Sequence, residues 1–426
     1  MTTGTTWQEA NTNGAYQQAL ERIAQGVSAE RHEIGLVLSP ETAGDEFGLL
    51  EAAHNARLGN MGRQVHVRGI IEFSNYCRQD CLYCGLRRSN AKLRRYRMSP
   101  EQIVEAAAFA LEFHGFGTIV LQSGEDPGYP ADAIAYVVKA IRQLGPAVTL
   151  SVGQRPYEDY ELWRKAGADR FLLKFETSDP NLFKELNPST TLDERLQCLM
   201  NLRKLGYQIG TGIILGLPGQ TRQMIICDLL LLKELDPEMV SVGPFIPHPG
   251  TPLGKAGATA KRDPARLIRA TLRAVALSRL MVPLAHIPAT TALGVIGKGS
   301  RDWVEWAGDY ILKVLGDKGG SGWRASAGDW SDPRALALVC GANVIMPDVT
   351  PKVFRDSYEI YPGKAGSDGE ELSGTIKSIR TMVQNLGMSI ASGRGDSPKP
   401  QFTAKRCPAE SRSGITGEGF GAGKEV

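Results

Sequence analysis

VHVRGIIEFSNYCRQDCLYCGL, residues 65–86, joins a run of β-branched and aromatic residues to a loop in which three cysteines fall within eight positions. The first half reads as a buried strand, because its apolar side chains follow one another as they do in parallel sheets covered on both faces. The second half carries Cys77, Cys81 and Cys84 in a C-x3-C-x2-C spacing. A strand that delivers its chain straight into a ligand-bearing loop is the arrangement found at the C-terminal rim of a parallel barrel.

Working outward, short apolar runs rich in β-branched residues alternate with segments of helical period. The strand candidates are residues 65–73, 118–123, 148–152, 170–176, 209–216, 239–246, 286–293 and 337–346, eight in number. Helices are predicted between them, among them SPEQIVEAAAFALEFHG, with Ser99 as N-cap and Gln102 three residues on, and LDERLQCLMNLRKLG, closed by Gly206. The alternation predicts an α/β fold, a (β/α)8 TIM-type barrel, with a partial barrel of looser last strands as the alternative. Residues 1–64 read as an N-terminal helical lead-in and 65–390 as the barrel. It is interrupted at about 297–334 by a Gly-rich insertion holding Trp303, Trp306, Trp323 and Trp330. Residues 391–426, low in hydrophobics and rich in Gly, Ser and Pro, read as a disordered tail.

Composition narrows the function. The chain has 426 residues, 42% hydrophobic and 22% charged, enough to bury a large core and unlike collagen, coiled coil or wholly disordered protein. No apolar run reaches the ~18 residues of a membrane span, and the first residues lack the basic and apolar regions of a signal peptide. The expectation is a soluble protein of the cytoplasm or an organelle matrix or stroma, not secreted. Lys and Arg number 49 against 46 Asp and Glu, which argues against a nucleic-acid footprint; a local basic run from Arg87 to Arg97 suits small anions. Seven cysteines in a long chain suggest reduced thiols rather than a disulfide scaffold. Cys198, Cys227 and Cys340 read as small core residues.

Structural zinc would ask for a fourth protein ligand, and neither His66 nor His114 is placed by spacing to supply it. Three thiolates on a cubane 4Fe-4S cluster leave one iron free to bind a small molecule, which suits electron transfer into that molecule. With Tyr83 before the last cysteine, the motif resembles the radical S-adenosylmethionine (SAM) superfamily. Polar or glycine-rich groups recur at the predicted strand ends: Ser123, Gly124 and Glu125 after the second, Ser151 after the third, Glu176 at the fourth and Gly216 after the fifth.

Within that superfamily, the strings IIEFSNYCRQDCLYCGLRRSN, RYRMSPEQIVE, TIVLQSGEDP, AGADRFLLKFET, GLPGQT, VGPFIPHPGTPL, IPATTALG, CGANVIMP and YPGK resemble the HydE family of FeFe-hydrogenase maturases, over about residues 65–300 and 335–364. The resemblance implies a 4Fe-4S cluster on Cys77, Cys81 and Cys84 and SAM as the second cofactor. It implies that the SGED backbone meets the methionine amino group, Glu176 the ribose hydroxyls and Arg195 the methionine carboxylate, with adenine against GTGIILG. Tyr83, Ser151 and Gly216 complete the expected cofactor contacts. A carboxylate for a diol and a planar guanidinium for a carboxylate are sound pairings, although Glu176 and Arg195 would also fit an ordinary rim ion pair.

The implied reaction is reductive cleavage of SAM to methionine and a 5'-deoxyadenosyl radical. The radical acts on a cysteine-bound iron carbonyl cyanide complex during maturation of the hydrogenase diiron subcluster. Expected partners are other hydrogenase maturases and an electron donor such as ferredoxin or flavodoxin, with no nucleic acid and no membrane. Arg170, Lys174, Thr290, Thr291 and Tyr358 are candidate substrate contacts. The chain departs from the family where Lys174-Phe175 replaces the Arg-His that many members carry before the ribose-binding carboxylate. No second cluster is expected, because only Cys407 stands downstream of YPGK. A biotin synthase or methylornithine synthase type of radical SAM enzyme, and a noncatalytic metal-cluster carrier, are the competing readings.

Overall fold

A computed structural model describes residues 6–27, 29–257, 263–297, 304–308, 310, 332–364 and 372–403. Its frame is a parallel sheet of six strands: β2 (Gly69–Ser74), β3 (Thr118–Ser123), β4 (Ala147–Ser151), β5 (Arg170–Leu172), β6 (Gln208–Leu215) and β7 (Met239–Pro244). They pair in sequence order, so every helical crossover adds its strand to the same advancing edge. An open doubly wound sheet would reverse its order at a switch point; this one does not. A second sheet has the order β8 (Val344–Ile345), β1 (Gln64–Val67), β9 (Ser389–Ile390). Single parallel bridges at Met239–His286, Pro288–Val344 and Ile70–Asp348 carry the succession from β7 through two extended segments back to β2.

The α/β architecture of parallel strands and helical crossovers is therefore as expected, but its last quarter differs from the sequence reading. Residues 65–73 form two strands separated at Arg68. Residues 286–293 are not a strand: Pro288 lacks a donor, and Thr290 is the N-cap of a helix over Thr291–Ile296. Residues 337–346 begin inside the helix Pro333–Val339, where Asp332 caps the Arg334 N–H and Pro333 holds the first turn; only Val344 and Ile345 are strand. The Ser99–Gln102 capping box forms, and Gly206, with φ +80, follows the helix Leu192–Lys204. Trp303, Trp323 and Trp330 lie outside the described residues, as does Cys407. Trp306 stacks on Tyr310 with ring centroids 6.3 Å apart.

The core lies between the sheet and its helices, where Trp163, Tyr160, Phe171 and Tyr207 are fully enclosed. The N-terminal helix Ala43–Met61 buries Leu49, Leu50 and Ala53 and packs against Pro264–Met281. Its Glu46 is paired with both Arg269 and Arg273 of that helix.

The disordered reading of the tail does not extend to residues 391–403. This segment crosses the N-terminal ends of the strands, the end opposite the cysteine loop. Arg394 pairs with Asp169 at 2.5 Å and its carbonyl accepts from Thr118 Oγ1 and from Arg170. Asp396 accepts from Arg170 at 2.7 Å, the Gly395 carbonyl accepts from Arg68 at 3.3 Å, and Lys399 pairs with Asp236 and Glu238. Gly117 makes room for the Gly393 carbonyl, which would sit 1.6 Å from any Cβ there. Arg170 is thereby corrected as a substrate contact. It stands at the first residue of β5, fully buried, and spends its donors on the tail, Thr118 and Gln208.

Removing one partner of a buried ion pair leaves the other charge uncompensated. Asp396→Asn should therefore lower unfolding free energy by about 3 kcal/mol, read as a fall in the urea midpoint. Burial pushes the Asp396 carboxyl up, but Arg170 and Arg394 outweigh it and hold it below the usual range. Its contribution is present above the unfolded-state value near 3.8 and is lost as pH falls toward the lowered folded value.

Candidate functional site

The C-terminal ends of the strands surround a cavity of about 350 Å³, within the size range of small-molecule sites. Cys77, Cys81 and Cys84 line it from the loop after β2, together with Tyr83. Ser123, Gly124, Glu125 and Ser151 reach it from β3 and β4, Lys174 and Glu176 from the segment beyond β5, and Arg195 from the helix Leu192–Lys204. Thr290, Thr291 and Tyr358 complete the wall. Of the residues singled out from sequence, Gly216 and Arg170 lie elsewhere: Gly216 is an exposed turn glycine with φ +79, its N–H bonded to Gln220.

The cysteine loop is held by groups that leave its thiols free. Leu82 N–H donates to the Leu186 carbonyl and Leu253 N–H to the Leu82 carbonyl. Glu125 accepts from Arg78 at 3.1 Å, from Gln79 at 2.6 Å and from the Gln154 N–H at 2.9 Å, so one carboxylate ties the loop to the β3 and β4 rims. Gly124 is required by close approach: a Cβ would lie 2.2 Å from the Tyr76 carbonyl and 2.8 Å from Cys77 Cβ. Gly153, at φ +74, leaves the space that the Glu125 side chain fills.

The three cysteines are unbridged. Burial pushes the Cys81 thiol up to about 12 and raises Cys77 and Cys84; Cys77 adds to the rise at Cys81, and Cys77 and Cys81 add to that at Cys84. Without a cation the thiols are therefore held in the neutral form, and only a bound cation would stabilise them as thiolates. Among the described residues, no three His, Cys, Asp or Glu side chains converge as around a single metal ion. Three thiols spread along one wall suit a cluster whose irons each take one thiolate.

Glu176 is one of two described non-glycine residues with positive φ, at 66°, and it still bridges to Ile213 of β6. Such backbone costs energy and gathers at functional sites. Its carboxylate lies 2.9 Å from Lys174 Nζ, so its ion-pair partner is Lys174, not Arg195. Arg195 donates to Gln154 Oε1 at 3.1 Å and to the Lys174 carbonyl at 2.8 Å. Beneath Glu176, Asp228 accepts from the Ser178 N–H at 2.5 Å, from Ser178 Oγ at 2.6 Å and from Thr177.

Sequence reasoning missed Glu72, Gln122, Lys364 and Tyr361. Lys364 lines the cavity, is paired with fully buried Glu72, and lies 3.7 Å from Asp348. Burial works against the Lys364 charge, yet Glu72 and Asp348 together lift it above its ordinary value. Lys364 is the last residue of YPGK, a string whose meaning here lay in the resemblance alone. Thr290 Oγ1 is buried without a hydrogen-bond partner, facing the wall at Gly243.

A parallel sheet wound in one direction, with a three-cysteine loop after its first inner strand and a cavity at that rim holding a carboxylate and a guanidinium, defines a radical SAM protein. The model of the Radical SAM superfamily matches residues 71–231. The [FeFe] hydrogenase maturase subunit HydE of Thermotoga maritima is 46% identical over 350 residues, covering 82% of this chain and 88% of that protein. The chain belongs to the HydE family. The 3-methylornithine synthase of Methanosarcina barkeri is 30% identical over 374 residues, 87% of this chain and 93% of its own length. Among solved structures, methylornithine synthase (PylB) superposes with TM-score 0.69 at 25% identity, covering 88% of this chain and 97% of that one. The maturase HydG from Carboxydothermus hydrogenoformans shares the fold at TM-score 0.59 and 20% identity, over 79% of this chain and 71% of that one.

Burial lifts the Asp228 carboxyl from 3.8 to about 6, against the pull of its hydrogen bonds. Its contribution to stability is fully present below 3.8 and is lost as pH rises through about 6. Chemical denaturation at pH 4 and pH 7 should show this loss in the wild type and a flatter profile in Asp228→Asn.

Proposed function

We propose that this protein is a radical SAM maturase that acts on a cysteine-bound iron carbonyl cyanide precursor of the hydrogenase diiron subcluster, alongside other hydrogenase maturases and a one-electron donor. The observation that carries this reading is the meeting of three cluster-type thiols, a carboxylate and a guanidinium in one cavity, in a chain of the HydE family. Cys77, Cys81 and Cys84 are the ligands of a 4Fe-4S cluster, which when reduced supplies the electron that breaks the sulfonium of SAM into methionine and a 5'-deoxyadenosyl radical. Arg195 takes the methionine carboxylate, the 123–125 backbone its amino group, and Glu176 the ribose diol once Lys174 swings away. The β6 segment 210–216 flanks the adenine, although Gly216 itself stands outside the cavity.

Lys174, Thr290, Thr291 and Tyr358 face the cavity and are the proposed substrate side, joined by Lys364. An ammonium pair, two hydroxyls and a phenol offer donors to cyanide nitrogen and to a cysteine carboxylate. The likeness to methylornithine synthase favours a second reading, a radical SAM enzyme of that type using the same cavity.

Protein reconstituted without oxygen and reduced should form 5'-deoxyadenosine from SAM at a rate stimulated by the cysteine-bound iron dicarbonyl cyanide complex. Cleavage without that stimulation would reject the assigned substrate. Cys81→Ala should lose the cluster's visible absorption and iron content. Glu176→Gln should keep both while weakening SAM binding by about 10-fold, the worth of one charge-assisted hydrogen bond; unchanged affinity would remove that assignment.

A further inference from the structure

The positive charge of this chain is concentrated around its cysteine loop. Residues 76–98 hold seven arginines and lysines against one acidic residue, Asp80, while the whole chain carries only +3. The remainder is therefore slightly negative.

The structure divides these seven into two groups. Arg78, Arg87 and Arg97 pair with Glu125, Asp80 and Asp126, and Arg95 donates to the carbonyls of Asn75, Leu86 and Arg87. These four build the loop. Arg88, Lys92 and Arg94 are exposed and have no acidic partner among the described residues. Two of them join the cysteine segment through their backbone: the Arg88 N–H donates at 2.8 Å to the carbonyl of Gln79, which lies between Cys77 and Cys81, and the Arg94 carbonyl accepts from Asn75 Nδ2.

The patch continues onto the short helix Lys352–Arg355. Asn75 Nδ2 donates to the carbonyls of both Arg94 and Ser357, at 2.8 and 2.6 Å, and Tyr96 packs against Phe354 with centroids 5.1 Å apart. Lys352 is exposed there beside Val353, a large apolar side chain 67% exposed. Asp356 is the exposed acid at the far end of this helix, and Glu359 is drawn toward His248 at 3.3 Å.

We propose that Arg88, Lys92, Arg94 and Lys352, with Val353 as an apolar contact, form the docking surface for an acidic one-electron carrier protein. The inference rests on the radical SAM reading, which needs one electron from outside for each SAM cleaved. The carrier is oxidised by one electron and the cluster is reduced by one. That electron then breaks the sulfonium C–S bond, giving methionine and the 5'-deoxyadenosyl radical. Unpaired exposed charges of one sign around the electron's point of entry raise the encounter rate with a partner of opposite sign and orient it. The four structural arginines, by contrast, spend their donors on carboxylates or backbone carbonyls.

The test compares two reductants on the reconstituted enzyme: a purified, reduced flavodoxin of strongly negative charge, and dithionite, a small reductant that needs no docking surface. The triple variant Arg88→Glu, Lys92→Glu, Arg94→Glu should raise the flavodoxin concentration for half-maximal 5'-deoxyadenosine formation by at least about 10-fold at low salt. Its iron content and dithionite-driven rate should stay within about twofold of wild type, and the corresponding glutamine triple should fall between. Wild-type activity with flavodoxin should decline with ionic strength more steeply than with dithionite. Equal loss with both reductants, or no loss with flavodoxin, overturns the docking surface. Absence of SAM cleavage by fully loaded wild type under dithionite overturns the functional reading itself.

Discussion

The carboxylate of Glu125 is the contact on which the site depends. It leaves the end of β3, accepts from two residues of the cysteine loop and from the Gln154 N–H beyond β4, and so fixes a flexible loop against two rigid strands. Gln154 in turn accepts from Arg195, so the brace of the cysteine loop and the guanidinium share one hydrogen-bonded chain. Placing ligands on loops while anchoring those loops to strand ends is how a barrel combines reach with precision. Gly124 and Gly153 belong to the same brace, since neither the loop nor the Glu125 side chain could occupy its place over a Cβ.

The cavity wall carries more charge than its volume suggests. Lys174 and Glu176 pair on one side, and on another Lys364 is paired with Glu72, fully buried outside the lining, and lies 3.7 Å from Asp348. Paired charges in a largely apolar enclosure are primed for exchange, because a ligand of matching charge can replace one partner without leaving the other bare. Lys174 next to the left-handed Glu176 is the clearest case: an ammonium on a flexible stem releases a carboxylate more readily than a bidentate guanidinium would.

Much of this was legible in the sequence, and for identifiable reasons. The inner strands announce themselves because they are buried on both faces, and the cysteine spacing because few arrangements other than a cluster need it. The closing quarter of the sheet was not legible. Residues 286–293 have the β-branched look of a strand, but Pro288 removes a donor and the chain enters the helix Thr291–Ile296, so only isolated bridges form. Arg170 was misplaced because the strand's first residue and its rim residues look alike when its direction and length are unknown; β5 runs only from Arg170 to Leu172. Lys364 was hidden for a different reason, since its partner Glu72 is 292 residues away and no local pattern links them.

The strap of residues 391–399 has a consequence for how the chain comes into being. Arg68 and Arg170 are wholly enclosed guanidiniums, and the carboxylate that compensates them, Asp396, is made 226 residues after Arg170. β1 likewise waits for its neighbours β8 and β9, near the end of the chain. During vectorial synthesis the six inner strands can pair as they emerge, while the base must stay hydrated until the final segment leaves the ribosome. Sealing of the base is thereby a late event, and the inner strands wait for the strap to reach them.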